Sequence, residues 1–164
     1  MNREMLIERL GRFPMLAELQ ETERGAFLDI LEEEDFPEGS RIIEEGSEGD
    51  CMYILLEGQV EILKTTLYGE EYVCAKLEDT ESCVFGEIAL IDQDVRSATV
   101  RALTKCHTLR MSQEKFHDYC EKNPMAGCKV LWFISANLCR TLRKENDNLL
   151  KVYAALVDEI EKNI

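Results

Sequence analysis

The segment VFGEIALIDQDVRSATV, residues 84–100, combines residue types that suit an anion-binding loop. Gly86 lets the backbone turn, and residues 87–90 favour a single helical turn whose free N–H groups attract an anion. Arg96 follows on the other side of this loop among small residues, so its guanidinium can face the same anion. Glu87 would repel that anion unless it faces a part of the ligand that offers hydroxyl donors. The segment therefore indicates a ligand that joins an anion to a hydroxylated sugar.

The same two charged side chains also allow a simpler interpretation. Glu87 and Arg96 could pair with each other across the loop as a surface salt bridge, which would be worth about 0–1 kcal/mol. The residues taken alone leave both interpretations open.

The overall charge limits the class of ligand. The 164 residues include 19 Lys and Arg against 33 Asp and Glu, which gives a net charge of −14. Because a nucleic acid is held mainly by neutralising its phosphates, we expect no nucleic-acid partner. No apolar run reaches the ~20 residues that a membrane span requires, so we expect no membrane partner. The charged start MNREMLIERL is unlike a secretory signal, which favours a cytoplasmic protein.

The seven cysteines never approach a CxxC spacing. Without a secretory signal they are predicted to be reduced thiols, most of them buried as small apolar side chains.

The pattern along the chain predicts an α+β fold. Two helices are predicted near the start, over residues 2–12 and from Thr22 to Glu34. Short runs rich in Val, Ile, Tyr and Thr then follow up to Met111, with glycine-containing turns about every 8–12 residues. This pattern is typical of a small antiparallel β-roll.

Helices return after the roll. A short helix is predicted to begin at Ser112 and to end before Pro124, and one long helix is predicted from Met125 to the end of the chain. We therefore expect two parts, residues 1–124 and a lid or dimerisation helix over 125–164. A seven-residue spacing on that helix, interrupted by Glu145, is typical of a coiled-coil seam formed by Leu138, Leu142, Leu149, Val152 and Leu156.

The long helix has two interpretations. It could dock on its own roll, or it could form the seam of a homodimer. The homodimer is favoured because the helix is too long to be covered by so small a roll. Trp132, at its apolar start, is predicted to be a core residue rather than a lid.

Residues 85–100, FGEIALIDQDVRSATV, resemble the phosphate-binding cassette of the cyclic nucleotide-binding domain family. They match FGE-[LI]-A-L, five further residues and R-[AST]-A-[TS]-V without a gap. FPEGSRIIEEGSEGDCMYILLEGQVEI is similar to the first strands of that family, and the resemblance covers roughly residues 15–145. It implies a β-roll with flanking helices that binds cAMP or cGMP reversibly. Because the sequence shows no kinase, channel or cyclase segment and no set of metal ligands, we expect a stand-alone sensor rather than an enzyme, with no cofactor or metal.

The resemblance also implies a role for each cassette residue. Glu87 would accept from the ribose 2′-hydroxyl with help from the Gly86 backbone, and Arg96 would pair with the cyclic phosphate. The amides of Ala89 and Ser97 would complete the anion shell. In the family, serine or alanine at position 97 accompanies cAMP and threonine accompanies cGMP, so cAMP is favoured, although serine is compatible with both. The full predicted ligand set is Phe85, Gly86, Glu87, Ile88, Ala89, Arg96, Ser97, Ala98 and Asn146.

The base side of the ligand is less well specified. The family caps the base from its last helix, which points to Asn146 or Glu145, and Tyr153 is an aromatic candidate for a lid. The chain departs from the family where TESCVFGE lacks the usual glycine before the cassette.

Several alternatives remain at this stage. The main alternative function is a roll that has lost its ligand and serves as a dimeric scaffold. An iron–sulfur or haem relative is disfavoured because the first cysteine is Cys51 and only the adjacent Cys106 and His107 suggest haem ligands. A cupin-like metalloenzyme would need several ligands inside the roll, and the chain has only two histidines.

Because no DNA-binding helix-turn-helix follows the last helix, we expect the output to pass through an unidentified effector protein or through the dimer.

Overall fold

The computed structural model describes residues 2–79, 83–92 and 94–162. The predicted fold class is confirmed, with antiparallel sheets between two sets of helices. In chain order the elements are α1 (Arg3–Leu10), α2 (Glu21–Leu28), β1 (Glu32–Phe36), β2 (Arg41–Ile43), β3 (Cys51–Glu57), β4 (Gln59–Thr65), β5 (Glu71–Glu78), β6 (Val84–Phe85), a 3-10 helix (Glu87–Leu90), β7 (Thr99–Ala102), β8 (Cys106–Ser112), α3 (Gln113–Lys122) and α4 (Pro124–Lys162).

Within the described residues, the roll is built from two four-stranded sheets. Their strand orders are β1-β8-β3-β6 and β2-β7-β4-β5, and every pairing is antiparallel. Residues 51–56 of β3 are all buried, so this strand forms the centre of its sheet. Side chains from both sheets bury apolar surface in one cluster, which comprises Ile43, Cys51, Tyr53, Leu55, Val60, Cys83, Phe85, Val100, Ala102 and Cys106.

Strand β1 corrects one expectation. The sequence predicts that the second helix continues through the acidic run before Asp35, but α2 ends at Leu28 and the acidic run pairs with β8. Basic groups on or near β8 contact these carboxylates: Arg110 lies 3.4 Å from Glu32, and His107 lies 2.6 Å from Asp35. Partners that lie so far away in the chain override the local helix propensity.

The helices of the first unit are joined to one another by specific contacts. The rings of Phe27 and Tyr119 meet edge-to-face with centroids 5.2 Å apart. The Tyr119 hydroxyl donates to the Glu23 carbonyl at 3.1 Å, and the Lys129 ammonium lies 3.3 Å from the Glu23 carboxylate. The predicted start of α3 is confirmed, because the Ser112 side chain accepts from a backbone amide of the first turn.

Contacts divide the chain into two compact units, Met1–Val130 and Leu131–Ile164. The long helix α4 begins at Pro124, close to its predicted start, while the predicted division into residues 1–124 and 125–164 stays a prediction. In the second unit Trp132 is 78% exposed, so its predicted core position is wrong. The leucines of the predicted seam at positions 142, 149 and 156 are also more than half exposed.

The cysteines are less buried than predicted. Cys51, Cys83 and Cys106 are buried, whereas Cys74, Cys128 and Cys139 are exposed. The exposed thiols lie on the sheet-edge strand β5 and on α4, at positions that face the surface of the protein.

No helix within residues 2–79, 83–92 and 94–162 combines the length and the apolar character that a membrane-crossing segment needs.

Candidate ligand-binding site

A cavity of about 240 Å³ lies between the apolar face of the roll and the loop that precedes β7. Its apolar wall includes Ile43, Ile62 and Val100. A few polar groups in a largely apolar pocket are typical of small-molecule sites. Eight of the nine predicted ligand residues line the cavity, namely Phe85, Gly86, Glu87, Ile88, Ala89, Arg96, Ser97 and Ala98.

Gly86 makes the turn that starts one wall of the cavity. Its φ is +77°, in the left-handed region that favours glycine. A Cβ at this position would lie 2.9 Å from Ile43 Cδ1 and 3.0 Å from Arg96 Nη1, so a side chain would disturb both neighbours. The predicted single helical turn follows as the 3-10 helix. The Ala89 amide donates to the Gly86 carbonyl at 3.2 Å within this turn.

The backbone around Arg96 is held by the loop between β2 and β3. The Arg96 amide donates to the Ser47 carbonyl at 2.8 Å, and the Gly46 amide donates to the Arg96 carbonyl at 2.8 Å. An antiparallel bridge between Glu48 and Val95 extends this contact. The chain segment that carries the guanidinium is therefore fixed to the roll by main-chain hydrogen bonds.

The guanidinium of Arg96 has uncharged hydrogen-bond partners. Nη1 donates to the Gly86 carbonyl at 3.4 Å, and Nη2 donates to Cys51 Sγ at 3.3 Å. It also lies over Gly49, where an added Cβ would come within 2.0 Å of Arg96 Nε. Among residues 2–79, 83–92 and 94–162 no carboxylate forms a salt bridge with Arg96. The surface pair with Glu87, which the sequence left open, is therefore not formed.

Glu87 is half-buried and faces the same cavity. Burial raises the pKa of its carboxyl group, and an interaction with its own backbone amide lowers that pKa in part. No basic side chain in the described part of the chain forms an ion pair with it. A desolvated carboxylate of this kind gains most from a hydrogen-bond donor, such as a ligand hydroxyl.

Two further carboxylates at the cavity, Asp92 and Asp94, were missed by the sequence reasoning. The Asp94 amide donates to the Asp92 carboxylate at 3.2 Å, and the Val95 amide donates to the Asp94 carboxylate at 2.7 Å. These aspartates shape the loop by accepting from its own amides. Their spacing inside the cassette resembles an ordinary polar turn, so the sequence offered no direct sign that they line the cavity.

Comparison with known protein families shows which family the chain belongs to. The family model described as "Cyclic nucleotide-binding domain" matches residues 33–123, which is more than half of the chain. The chain belongs to the cyclic nucleotide-binding domain family. The predicted membership is thus confirmed, and the cassette supplies most of the residues that line the cavity.

Similar proteins include regulatory subunits of a kinase and a bacterial activator. The cAMP-dependent protein kinase regulatory subunit of Dictyostelium discoideum is 32% identical over 123 residues, which cover 72% of this chain and 36% of that protein. The catabolite activator protein of Thermus thermophilus superposes with a TM-score of 0.74 at 26% identity, over 83% of this chain and 61% of that chain. The regulatory domain of Toxoplasma gondii PKA, crystallised with cAMP, gives a TM-score of 0.69 at 28% identity, over 82% of this chain and 49% of that chain.

The chain spans about a quarter to a third of the length of the curated relatives it matches. Each of those relatives is a regulatory subunit rather than a catalytic one.

The predicted base-side residues lie in the second unit. Asn146, Glu145 and Tyr153 are exposed on α4, so their contact with a base stays a prediction. The departure from the family at TESCVFGE involves residues 80–82, which lie outside the described residues.

The residues considered for haem or metal binding have protein neighbours or lie at the surface. The buried Cys106 thiol donates to the Gln59 carbonyl at 3.4 Å, and His107 pairs with Asp35. One group of potential metal ligands occurs in the described residues, and it is exposed on α3 rather than inside the roll: His117, Asp118 and Glu121.

Proposed function

We propose that this domain binds cAMP reversibly in the cavity of about 240 Å³ and acts as a sensor. The observation that carries the proposal is that Arg96 and Glu87 line one cavity without pairing with each other or with another charged side chain in residues 2–79, 83–92 and 94–162. A positive and a negative group, both uncompensated, suit a ligand with an anion at one end and hydroxyl donors at the other.

In the proposed complex Arg96 binds the cyclic phosphate, which carries one negative charge. A guanidinium suits this role because its planar fork binds two phosphate oxygens and it stays charged at any physiological pH. Glu87 accepts from the ribose 2′-hydroxyl, and the Ser97 amide contributes to the anion shell. The Ala89 amide, which donates to the Gly86 carbonyl at 3.2 Å, joins that shell only by turning toward the phosphate when the ligand binds. The apolar wall at Ile62 and Val100 covers the less polar part of the ligand.

Two observations favour cAMP over cGMP. Position 97 holds serine, which like alanine accompanies cAMP in this family but is compatible with both nucleotides. The curated regulatory subunits that the chain matches are described as cAMP-dependent, and the similar Toxoplasma domain was crystallised with cAMP. A similar regulatory subunit from Trypanosoma brucei belongs to a cAMP-independent kinase, so the choice of nucleotide needs a titration with both.

The proposed output is regulatory and non-catalytic. Binding orders the cassette loop, the change passes to α4, where Asn146 caps the base, and an effector protein detects the altered surface. The proposed setting is the cytoplasm, where the cysteines remain reduced.

We further propose that α4 pairs with α4 of a second copy. Its exposed apolar side chains recur every seven residues, at Leu142, Leu149 and Leu156, each 56–67% exposed. Light scattering on the full chain should give a dimer, and Leu149→Glu together with Leu156→Glu should give a folded monomer. A monomeric wild-type chain, or a dimer that survives both substitutions, would contradict the seam.

Titration with cyclic nucleotides tests the proposed function. At about 100 times its dissociation constant, a ligand should stabilise the fold by about 2.7 kcal/mol, which thermal unfolding and calorimetry both detect. We expect cAMP to bind more tightly than cGMP, and 5′-AMP to serve as the non-cyclic control. If millimolar cAMP and cGMP both leave the unfolding midpoint unchanged, the ligand-free scaffold becomes the better account.

A further inference from the structure

The Arg96 guanidinium is held in place by groups that carry no charge. The Gly86 carbonyl and the Cys51 thiol accept from its two terminal nitrogens, at 3.4 Å and 3.3 Å. The bare Cα of Gly49 leaves room for its Nε, since a Cβ there would come within 2.0 Å. The side chain is thus oriented from three sides.

Cys51 is fixed in the core of the roll rather than in the loop that carries Arg96. It is the first residue of β3, it pairs with Ser112 of β8, and it is only 5% exposed. Its own carbonyl also lies close to Gly86, at 3.2 Å from where a Cβ on that glycine would be. The position of its sulfur is therefore set by the sheet and not by the loop that carries Arg96.

The chemistry of this sulfur suits the task. A thiol sulfur is a weak, polarisable acceptor, so it can take a hydrogen bond from a guanidinium without neutralising its charge. A carboxylate at the same place would hold the arginine more firmly, but it would cancel the charge that an anionic ligand needs. Orienting the fork in advance also reduces the entropy that is lost when the ligand binds.

On the basis of the proposed function, we propose that Cys51 is a positioning residue for Arg96. Its uncharged sulfur orients the guanidinium toward the cavity and leaves the positive charge available for the anionic group of the ligand. Cys51 acts through Arg96 and has no contact with the ligand itself.

Four substitutions in the full chain test this role through cAMP affinity, measured by calorimetry. Cys51→Ser keeps an acceptor and should stay within about threefold of wild type. Cys51→Val removes the acceptor and should weaken binding about five- to tenfold, as for one lost hydrogen bond. Cys51→Asp and Cys51→Asn have side chains of the same shape that differ in charge. If the Asp variant alone loses a further tenfold in cAMP affinity, and its affinity depends less on salt concentration, the new carboxylate has neutralised the charge of Arg96.

Two controls separate positioning from a loss of packing. Thermal unfolding of each ligand-free variant shows whether it folds, and Cys106→Ser alters another buried thiol that does not contact Arg96. If the Asp variant fails to fold, the difference in cAMP affinity between the Ser and Val variants still tests the role of Cys51. Equal affinity of the Ser and Val variants would overturn the inference while leaving the proposed function intact.

A measurement without ligand distinguishes failure of the inference from failure of the proposed function. The Nη2–H resonance of Arg96, whose proton donates to Cys51 Sγ, is assigned by its loss in Arg96→Lys and should exchange slowly with water in the wild type and in Cys51→Ser. It should exchange at least several-fold faster in Cys51→Val. An unchanged exchange rate in Cys51→Val would overturn the role of Cys51, whether or not wild type binds cAMP.

Discussion

Two arginines that are five residues apart, Arg96 and Arg101, have opposite surroundings. Arg101 lies on β7 and pairs with Glu61 of β4, which is only 5% exposed, and it also lies 3.8 Å from Glu71. Arg96 lies in the loop before β7 and contacts a carbonyl and a thiol. On the sheet surface, carboxylates balance the charge of Arg101. In the cavity, the charge of Arg96 has no carboxylate partner among the described residues.

The two glutamates differ in the same way. Glu61 is buried beside its arginine, so its charge is satisfied within the protein. Glu87 is half-buried with no cation paired to it in the described part of the chain, and burial raises its pKa. An unpaired charge of either sign costs stability in the ligand-free protein, so such groups mark a place where a ligand supplies the missing partner.

The largest effect that this comparison predicts is on ligand affinity. Arg96→Ala should weaken cAMP binding by about 2–5 kcal/mol, because it removes the charged partner of the phosphate. Arg101→Ala should leave the affinity within about threefold of wild type. Calorimetry on both variants measures the affinity. Similar losses of cAMP affinity in the two variants would show that the different surroundings of Arg96 and Arg101 do not give them different roles.

A smaller loss is expected at the other end of the cavity. Glu87→Gln keeps the shape but replaces a charged acceptor by a neutral one, so cAMP affinity should fall by about 1–1.5 kcal/mol, the difference between the two kinds of hydrogen bond. The matched ligand 2′-deoxy-cAMP, which lacks the hydroxyl, should bind wild type and Glu87→Gln with nearly equal affinity. A similar drop for both ligands would place the ribose hydroxyl elsewhere.

The reverse result is expected for the stability of the fold. Arg101→Ala leaves Glu61 buried without its partner, which should reduce the free energy of unfolding by about 1–3 kcal/mol, measured by urea denaturation. Arg96→Ala breaks no ion pair within the described residues and should change it by less than about 1 kcal/mol. A larger loss in Arg96→Ala than in Arg101→Ala would reverse the assignment of roles.

The smallest predicted effect is a pH dependence of the ligand-free protein. Because burial raises the pKa of Glu87 in the folded state, its contribution to stability is fully present below the ordinary carboxyl pKa and is lost as pH rises through the raised value. Glu87→Gln should therefore be more stable than wild type at pH 7, with the difference shrinking toward pH 4. Thermal unfolding of both proteins across this range provides the test, and a difference that grows on acidification would have the wrong sign.

Much of the site could be predicted because its residues are contiguous. The turn at Gly86, the short helical turn after it and the return of the chain at Arg96 are local features, and all appear in the structure. The helix start at Ser112 and the long helix α4 follow from equally local capping and spacing.

Other features depended on strand pairing. The acidic strand β1 has a helical composition, yet it pairs with the basic side chains of β8 from the far end of the roll. The burial of individual cysteines and the exposure of Trp132 also followed the final packing rather than residue type.

The amino-acid sequence by itself determined the turn at Gly86, the short helical turn after it and the return of the chain at Arg96, because the spacing of nearby residues dictates local backbone turns. It left open whether Glu87 and Arg96 face a ligand or pair with each other. Only the tertiary structure decided that Cys51 and Gly49 would hold the guanidinium and that no carboxylate of the described residues would neutralise it. Those neighbours come from a strand and a loop more than 40 positions away. Their approach depends on the register and packing of the whole roll, which short-range patterns do not encode.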